Sequence, residues 1–267
     1  MQIKRVFITG GASGLGYALA QEAAARGWKV CIGDRDTERG EAVLESLQRL
    51  QSDAFFMPCD VTRISDLEAV AKELQSRWSG VDIVVNNAGV AQVGPITETS
   101  ISDWQWIIDI NLLGVVRGCK VFTPIMQEQG QGYFLNVASL AGLLDMPNAS
   151  SYNATKAAVV SLSETLHNEL KPNNIGVTVL CPSFFKTNLA QGMRSSVPDM
   201  DKKVDKWMAS SKLNAADVAK MAWQAVDAGK LHALPHREGR TAWYMKRFLP
   251  RSLYQAIVHK KAQSRTK

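Results

Sequence analysis

Lys4–Gly16, KRVFITGGASGLG, is the stretch that decides the fold. Lys4–Thr9 is a short apolar run stopped by glycines, which reads as a buried strand. Tyr17–Arg26 is alanine-rich and reads as a helix. Between them lies the turn Thr9-Gly10-Gly11-Ala12-Ser13-Gly14-Leu15-Gly16. Gly10, Gly14 and Gly16 allow a tight turn and a close backbone approach to a phosphate. The helix start, at Ser13 and Leu15, offers free N–H groups and the positive end of a dipole to a pyrophosphate.

The same alternation continues outward. Lys29–Gly33, Ala54–Pro58, Val81–Val85, Tyr133–Val137 and Val177–Leu180 read as strands, and Leu231–Leu234 as a last one. Glu38–Leu50, Ile64–Trp78, Ser102–Gln127, Ser151–Leu170 and Ala215–Ala228 read as helices, with a break expected near Pro124. Strands separated by single helices pair in parallel, and continuously apolar strands are covered on both faces. The expected fold class is therefore α/β: a doubly wound parallel sheet, Rossmann-like, in three layers α/β/α and one domain over residues 1–238. Ser183–Asn214 carries no clear element and is expected to be a lid.

Composition narrows the class. With 267 residues, 46% hydrophobic and 21% charged, the chain is not disordered. It has no apolar run long enough to span a bilayer. The N-terminus runs straight into a strand, so no secretory leader is expected. Cys31, Cys59, Cys119 and Cys181 form no metal or redox spacing, which suits a cytoplasmic location. No metal is expected, and His167, His232, His236 and His259 are read as structural or surface groups. The net charge of +6 is uneven: residues 239–267 hold eight Lys and Arg and no acid, while the rest holds 23 bases against 25 acids. A nucleic-acid binder would spread its cations over the body, so no nucleic acid is expected.

Asp34 ends the second strand twenty residues after Gly14, where a carboxylate can accept both ribose hydroxyls of an adenosine. It would repel a 2′-phosphate, so NAD is expected, with NADP possible because Arg35 follows. Tyr152 and Lys156 are four residues apart on one helix face. A nearby ammonium is expected to lower the phenol from its usual value near 10, making Tyr152 a base for alcohol oxidation and an acid for ketone reduction. Ser139 can hydrogen-bond the substrate oxygen. Asn111 by itself reads as a buried polar group at a helix kink, and Asp60-Val61 as a helix cap or a binding pair.

Taken together, the T-G-x-x-x-G-x-G turn, Asn86-Asn87-Ala88-Gly89, Asn111, Ser139, Tyr152-x-x-x-Lys156 and Pro182–Thr187 resemble the short-chain dehydrogenase/reductases over residues 3–235. The resemblance implies an NAD(P)-dependent oxidoreductase acting on a secondary alcohol or carbonyl. It implies that Asn87, Ala88 and Gly89 flank the cofactor, that Asp60 and Val61 hold the adenine, and that Lys156 holds the nicotinamide ribose. It further implies that Phe185 and Thr187 hold the carboxamide and that Asn111 supports a water relay to Lys156. Ser183 departs from the family's usual glycine. The rival reading is a dinucleotide-sensing protein without turnover.

Leu140–Leu144, Met146, Pro147, Ala91–Ile96, Phe184, Met193, Trp207 and Met208 are expected to wall an apolar substrate site suited to a sterol, retinoid, long-chain or aromatic alcohol. The helices holding Asn111 and Tyr152 are apolar around much of their girth, and the resemblance implies that they pair across a two-fold axis in a homodimer or homotetramer. The basic extension 239–267 is expected to include a helix starting near Pro250. It either docks on the enzyme near the lid or lies on an anionic membrane. Docking is the expectation, because the helix is short for membrane binding alone.

Overall fold

The computed structural model describes residues 3–186 and 192–263, with side chains as far as 257. Its main sheet has seven parallel strands: β1 (Arg5–Thr9), β2 (Lys29–Asp34), β3 (Phe55–Pro58), β4 (Ile83–Asn86), β6 (Gly132–Val137), β7 (Ile175–Leu180) and β9 (His232–Ala233). They run in the order β3-β2-β1-β4-β6-β7-β9. The chain winds outward from β1 in one direction, then returns to β4 and winds in the other. The crevice between β1 and β4 is therefore a topological switch point, and it opens at the carboxyl ends of the strands.

The inner strands are short, largely apolar and buried on both faces, while the edge strands β3 and β9 are only partly covered. Phe7, Val84, Phe134 and Val177 face one layer of helices, while Val6, Ile8, Val85 and Leu135 face the other. The first layer is α3 (Ile64–Trp78), α5 (Gly114–Gln129) and α6 (Ser150–Leu170). The second is α1 (Gly14–Ala25), α2 (Thr37–Leu50) and α8 (Ala215–Asp227). Local chemistry sets the helix starts: Asp36 caps α2 by accepting the Arg39 N–H at 3.0 Å, and Asn214 with Asp217 form a reciprocal capping box on α8. The three-layer, single-domain architecture is thus the one read from the strand–helix alternation.

Three stretches differ from expectation. The helix read over 102–127 is α4 (Ile101–Ile108), a π-helical turn at Asp109–Leu113, and α5. The break therefore lies at the π turn, and Pro124 sits inside α5. Pro124 is tolerated because it and Lys120, whose carbonyl loses its donor, are both exposed to water. Within 183–214, β8 (Arg194–Ser195) pairs with β5 (Gln92–Val93), and α7 (Met200–Ala209) buries Met200, Val204 and Met208. Three apolar residues four apart in a run of charges were too short a pattern to read. At the end of the chain, α9 (Arg237–Phe248) precedes α10 (Arg251–Gln263), with Pro250 between them.

Candidate active site

The glycine turn joins β1 to α1 under tight constraints. Gly10 has φ +62°, a left-handed conformation that a side chain would strain. A Cβ on Gly16 would stand 2.1 Å from the Gly10 carbonyl oxygen, so only glycine fits there. The Asn87 side chain braces the turn, donating to the carbonyls of Thr9 (2.9 Å) and Gly10 (3.1 Å). The Thr9 hydroxyl accepts the N–H groups of Asn87 and Ala88, each at 3.0 Å. Ser13 is the N-cap of α1 but makes no side-chain cap bond, so the first turn keeps its donors turned to the cleft. This cradle fits a dinucleotide pyrophosphate.

Asp34 closes the far end of the cradle. Its carboxylate accepts the Ala12 N–H and the Asp36 N–H, both at 3.1 Å, which fixes its direction beside the cleft. Asp60 accepts both the N–H (2.9 Å) and the hydroxyl (2.8 Å) of Thr62. The helix that follows is capped at Arg63, so the helix-cap reading of Asp60 is corrected to a local turn.

Ser139 follows β6 and caps the single 3-10 turn Leu140–Gly142, accepting the Ala141 N–H at 3.1 Å. That bond occupies the oxygen as acceptor and leaves the hydroxyl proton to donate. Its contact with the Pro182 carbonyl is long, 3.5 Å. Tyr152 stands close enough to Ser139 for that hydroxyl to bear on the titration of its phenol. Lys156, 4% exposed, donates to the Val137 carbonyl at 3.0 Å, and its Nζ lies 5.9 Å from the Tyr152 ring centroid.

The electrostatics correct one expectation. Burial pushes the Tyr152 phenol above its ordinary value, and Ser139 draws it back only in part. Burial also pushes Lys156 down to about 8, opposed by the nearby Cys181 thiol. The protein's own groups therefore keep the phenol protonated, because desolvation of the phenolate is the larger effect.

Asn111 lies in the π turn, fully buried. Its amide pairs with the Val90 backbone both ways: the Val90 N–H donates to Oδ1 (2.8 Å) and Nδ2 donates to the Val90 carbonyl (2.9 Å). Arg117 clamps the same turn through the Asp109 carboxylate (2.6 Å) and carbonyl (3.1 Å). A Cβ on Gly89 would lie 3.2 Å from Asn111 Oδ1 and 3.4 Å from Lys156 Nζ, so these three residues converge.

One cleft of about 560 Å³ connects these parts. The sequence-read residues Gly10, Ser13, Gly14, Leu15, Asp34, Arg35, Asp60, Val61, Asn87, Ala88, Gly89, Ser139, Tyr152, Lys156 and Phe185 all line it. Gly16 and Asn111 stand behind its wall, and Thr187 lies outside the described residues. Leu140, Ala141, Leu144, Met146, Ala91, Val93, Phe184, Met193 and Met208 form the apolar end as expected. Gln92, Gly94, Pro95, Ile96, Gly142, Leu143, Pro147 and Trp207, also expected there, do not line it; Trp207 is 45% exposed and packs on Phe184. Val90, Ile110 and Val204 line it as well and were not anticipated.

Two supports were also missed. The Ser183 N–H donates to His236 Nδ1 at 3.1 Å, tying the segment after β7 to the start of α9. Ser183 is not among the non-glycine residues with positive φ, so its side chain costs no backbone strain where the family's glycine usually stands. Buried Ser151 donates to Gln92 (2.6 Å), which donates to Thr99 (3.1 Å), fixing the loop after β4 against α6 one residue from Tyr152. Isolated polar residues of this kind carry no motif.

Residues 4–198 match the family model described as short chain dehydrogenase. The CLA biosynthesis dehydrogenase/reductase of Lactiplantibacillus plantarum is 36% identical over 189 residues, covering 70% of this chain and 66% of that protein. The 3-oxoacyl-(acyl-carrier-protein) reductase FabG of Staphylococcus epidermidis is 29% identical over 199 residues, covering 73% of this chain and 81% of that protein. A short-chain dehydrogenase/reductase from Burkholderia phymatum in complex with NAD superposes with a TM-score of 0.87 at 31% identity, over 92% of this chain and 93% of that one. An alcohol dehydrogenase from Thermococcus sibiricus complexed with 5-hydroxy-NADP superposes at 0.75 with 25% identity, over 87% and 96%.

Proposed function

Because the chain belongs to the short-chain dehydrogenase family of NAD(P)-binding oxidoreductases, we propose that it interconverts a secondary alcohol and a ketone on an apolar substrate. The reading rests on one observation above all: Ser139, Tyr152 and Lys156 meet at the carboxyl end of the sheet, where one cleft joins the glycine cradle to an apolar chamber.

A bound nicotinamide dinucleotide supplies the hydride acceptor or donor and, when oxidised, a positive ring that favours the phenolate. The chain does the rest. Gly10 and Ser13 to Leu15, with Gly16 behind them, would hold the pyrophosphate, Asp34 the adenosine ribose, and Asp60 and Val61 the adenine. Asn87 to Gly89, Lys156 and Phe185 would hold the nicotinamide half, and the resemblance adds Thr187. In oxidation the Tyr152 phenolate takes the substrate hydroxyl proton, and the Ser139 hydroxyl donates to the oxygen left behind. In reduction Tyr152 returns the proton. Lys156 keeps a positive charge near the phenol, and Asn111 with Val90 fixes the wall beside it.

Asp34 selects NAD over NADP, since a 2′-phosphate there meets a fixed carboxylate. Among the described residues the chamber offers Leu144, Met146, Phe184, Met193 and Met208, with Lys156 as the charged group at its catalytic end, so a long-chain, polycyclic or aromatic alcohol suits it better than a sugar. The FabG relative is named for 3-oxoacyl groups, which carry a ketone of the kind this reading interconverts. Nothing in the site favours a cofactor sensor without turnover. The test is NADH formation across a series of secondary alcohols. Specificity should rise about fourfold per added buried methylene. Preferred turnover of sugars or charged acids would overturn the substrate reading, and no turnover at all would overturn the enzyme reading.

We also infer a two-fold assembly through α5 and α6. Ala154 and Ala157 are exposed on α6, small enough for a twin helix to approach closely. A dimeric or tetrameric mass at micromolar concentration is expected, and a monomer contradicts it. The four cysteines are buried and unpaired, in keeping with a cytoplasmic setting.

A further inference from the structure

We propose that the outer face of α9, continued by the start of α10, docks on an anionic lipid bilayer. The docking would hold the enzyme, with the substrate wall that α9 backs, at the membrane surface.

The inner face of α9 is already committed to the enzyme. Gly239 packs so closely that a Cβ would stand 2.7 Å from the Leu140 side chain. Lys246 donates to the Leu143 carbonyl (2.9 Å) and to the Asp145 carboxylate (2.8 Å). Trp243 packs on His232 at 5.3 Å. Leu140 lines the cleft, so α9 lies against the back of the substrate wall.

The outer face is a different surface. Arg237, Arg240, Thr241, Tyr244, Arg247 and Phe248 are all exposed and recur at steps of three and four, which puts them on one stripe. Phe248 is 74% exposed, Tyr244 48%, and Leu253 of α10 49%. Arg251 follows at the same end. Among the described residues none of these four arginines has a carboxylate partner. Arg247 also lies 5.7 Å over the Trp243 ring. Large apolar side chains set between guanidinium groups without carboxylate partners suit a headgroup layer, with arginines on lipid phosphates and rings below them. A second copy of the stripe would bring like charges together. No helix among the described residues is long and apolar enough to cross a membrane, so the contact is peripheral.

The body removes the weakness of a short membrane helix. An isolated helix must order itself as it binds, whereas α9 is held in place by Gly239, Trp243 and Lys246 before any lipid arrives. The value of the contact rests on the apolar-substrate reading, because such a substrate partitions into lipid. The docking itself does not depend on that reading.

The test is sedimentation of the full chain with phosphatidylcholine vesicles, with and without about 30% phosphatidylserine. Binding to the anionic vesicles alone is expected, with release as salt rises. Each surface cation contributes roughly fivefold in affinity. The double variant Arg240→Glu with Arg247→Glu should therefore bind at least about twenty-five-fold more weakly. Phe248→Ser should weaken binding with no change in net charge. Both should melt at the wild-type temperature and oxidise a short, water-soluble alcohol at the wild-type rate. Equal binding to neutral vesicles, no binding, wild-type binding by both variants, or capture by soluble polyglutamate but not by vesicles would each overturn the proposal. Vesicle binding without any alcohol turnover would overturn the enzyme reading and leave the docking standing.

Discussion

Lys156 Nζ donates to the Val137 carbonyl over 3.0 Å, which ties the helix carrying Tyr152 to the last residue of β6. The bond holds a buried ammonium in place, and burial makes that charge costly. The drop from 10.5 to about 8 corresponds to roughly 3 kcal/mol against the charged form. A hydrogen bond from an ammonium returns roughly 1.5–3 kcal/mol of this. The charged lysine therefore adds little or nothing to stability here.

Lys156→Met should lose turnover and yet melt at or above the wild-type temperature at pH 7. The folded value lies below the unfolded one, so folding disfavours the charged form. That penalty is complete below about pH 8 and vanishes above 10.5. Wild-type stability should gain on the variant as pH rises through this window. Melting curves at pH 7 and pH 10 check it, and a variant several degrees less stable at pH 7 would contradict it.

Asp34 gives a second test. The free chain should bind NADH at least tenfold more tightly than NADPH, measured by titrating the fluorescence of each reduced cofactor. Asp34→Ala should narrow that gap and weaken both, because the carboxylate also accepts the Ala12 and Asp36 N–H groups. Tighter NADPH binding by the wild type would transfer cofactor selection to Arg35.

The segment carrying β8 is pinned at Arg194. Its guanidinium pairs with Asp103 at 2.9 Å and lies 4.0 Å over the Trp106 ring, while its N–H donates to the Ala91 carbonyl. The pairing holds the Asp103 carboxyl below its ordinary value, first through Ser100 and then through Arg194. Arg194→Ala removes an ion pair and a cation–π contact worth roughly 1–2 kcal/mol together at a half-exposed site. KM should rise about three- to tenfold with kcat little changed. A loss confined to kcat would contradict this role.

Sequence patterns reveal what depends on period and punctuation. Apolar strands ending in Gly10, Asn86 and Ser139 announce themselves, and so does the pair Tyr152 and Lys156 on one helix face. The π turn is marked only by Asn111, a polar residue read as buried at a helix kink, because its supports are tertiary: the Asn111 amide on the Val90 backbone and Arg117 on the Val61 carbonyl. Pro124 drew the break to the wrong place, since a proline on the water-facing side of a helix is tolerated. Helix α7 was hidden by its lysines and aspartates, and His236 gave no sign that it would meet Ser183. The raised phenol of Tyr152 depends on burial, which neighbouring residues in the chain do not report.

The central claim is that Tyr152 carries the proton. The direct measurement is the single-turnover rate of Tyr152→Phe with saturating cofactor and alcohol, beside its cofactor dissociation constant. General acid–base catalysis contributes about 10²–10⁴-fold. The rate should fall at least that far, while cofactor affinity stays within about threefold, since the phenol transfers a proton and holds little of the dinucleotide. A variant that keeps more than about a tenth of the wild-type rate, with the chemical step limiting, would contradict the account.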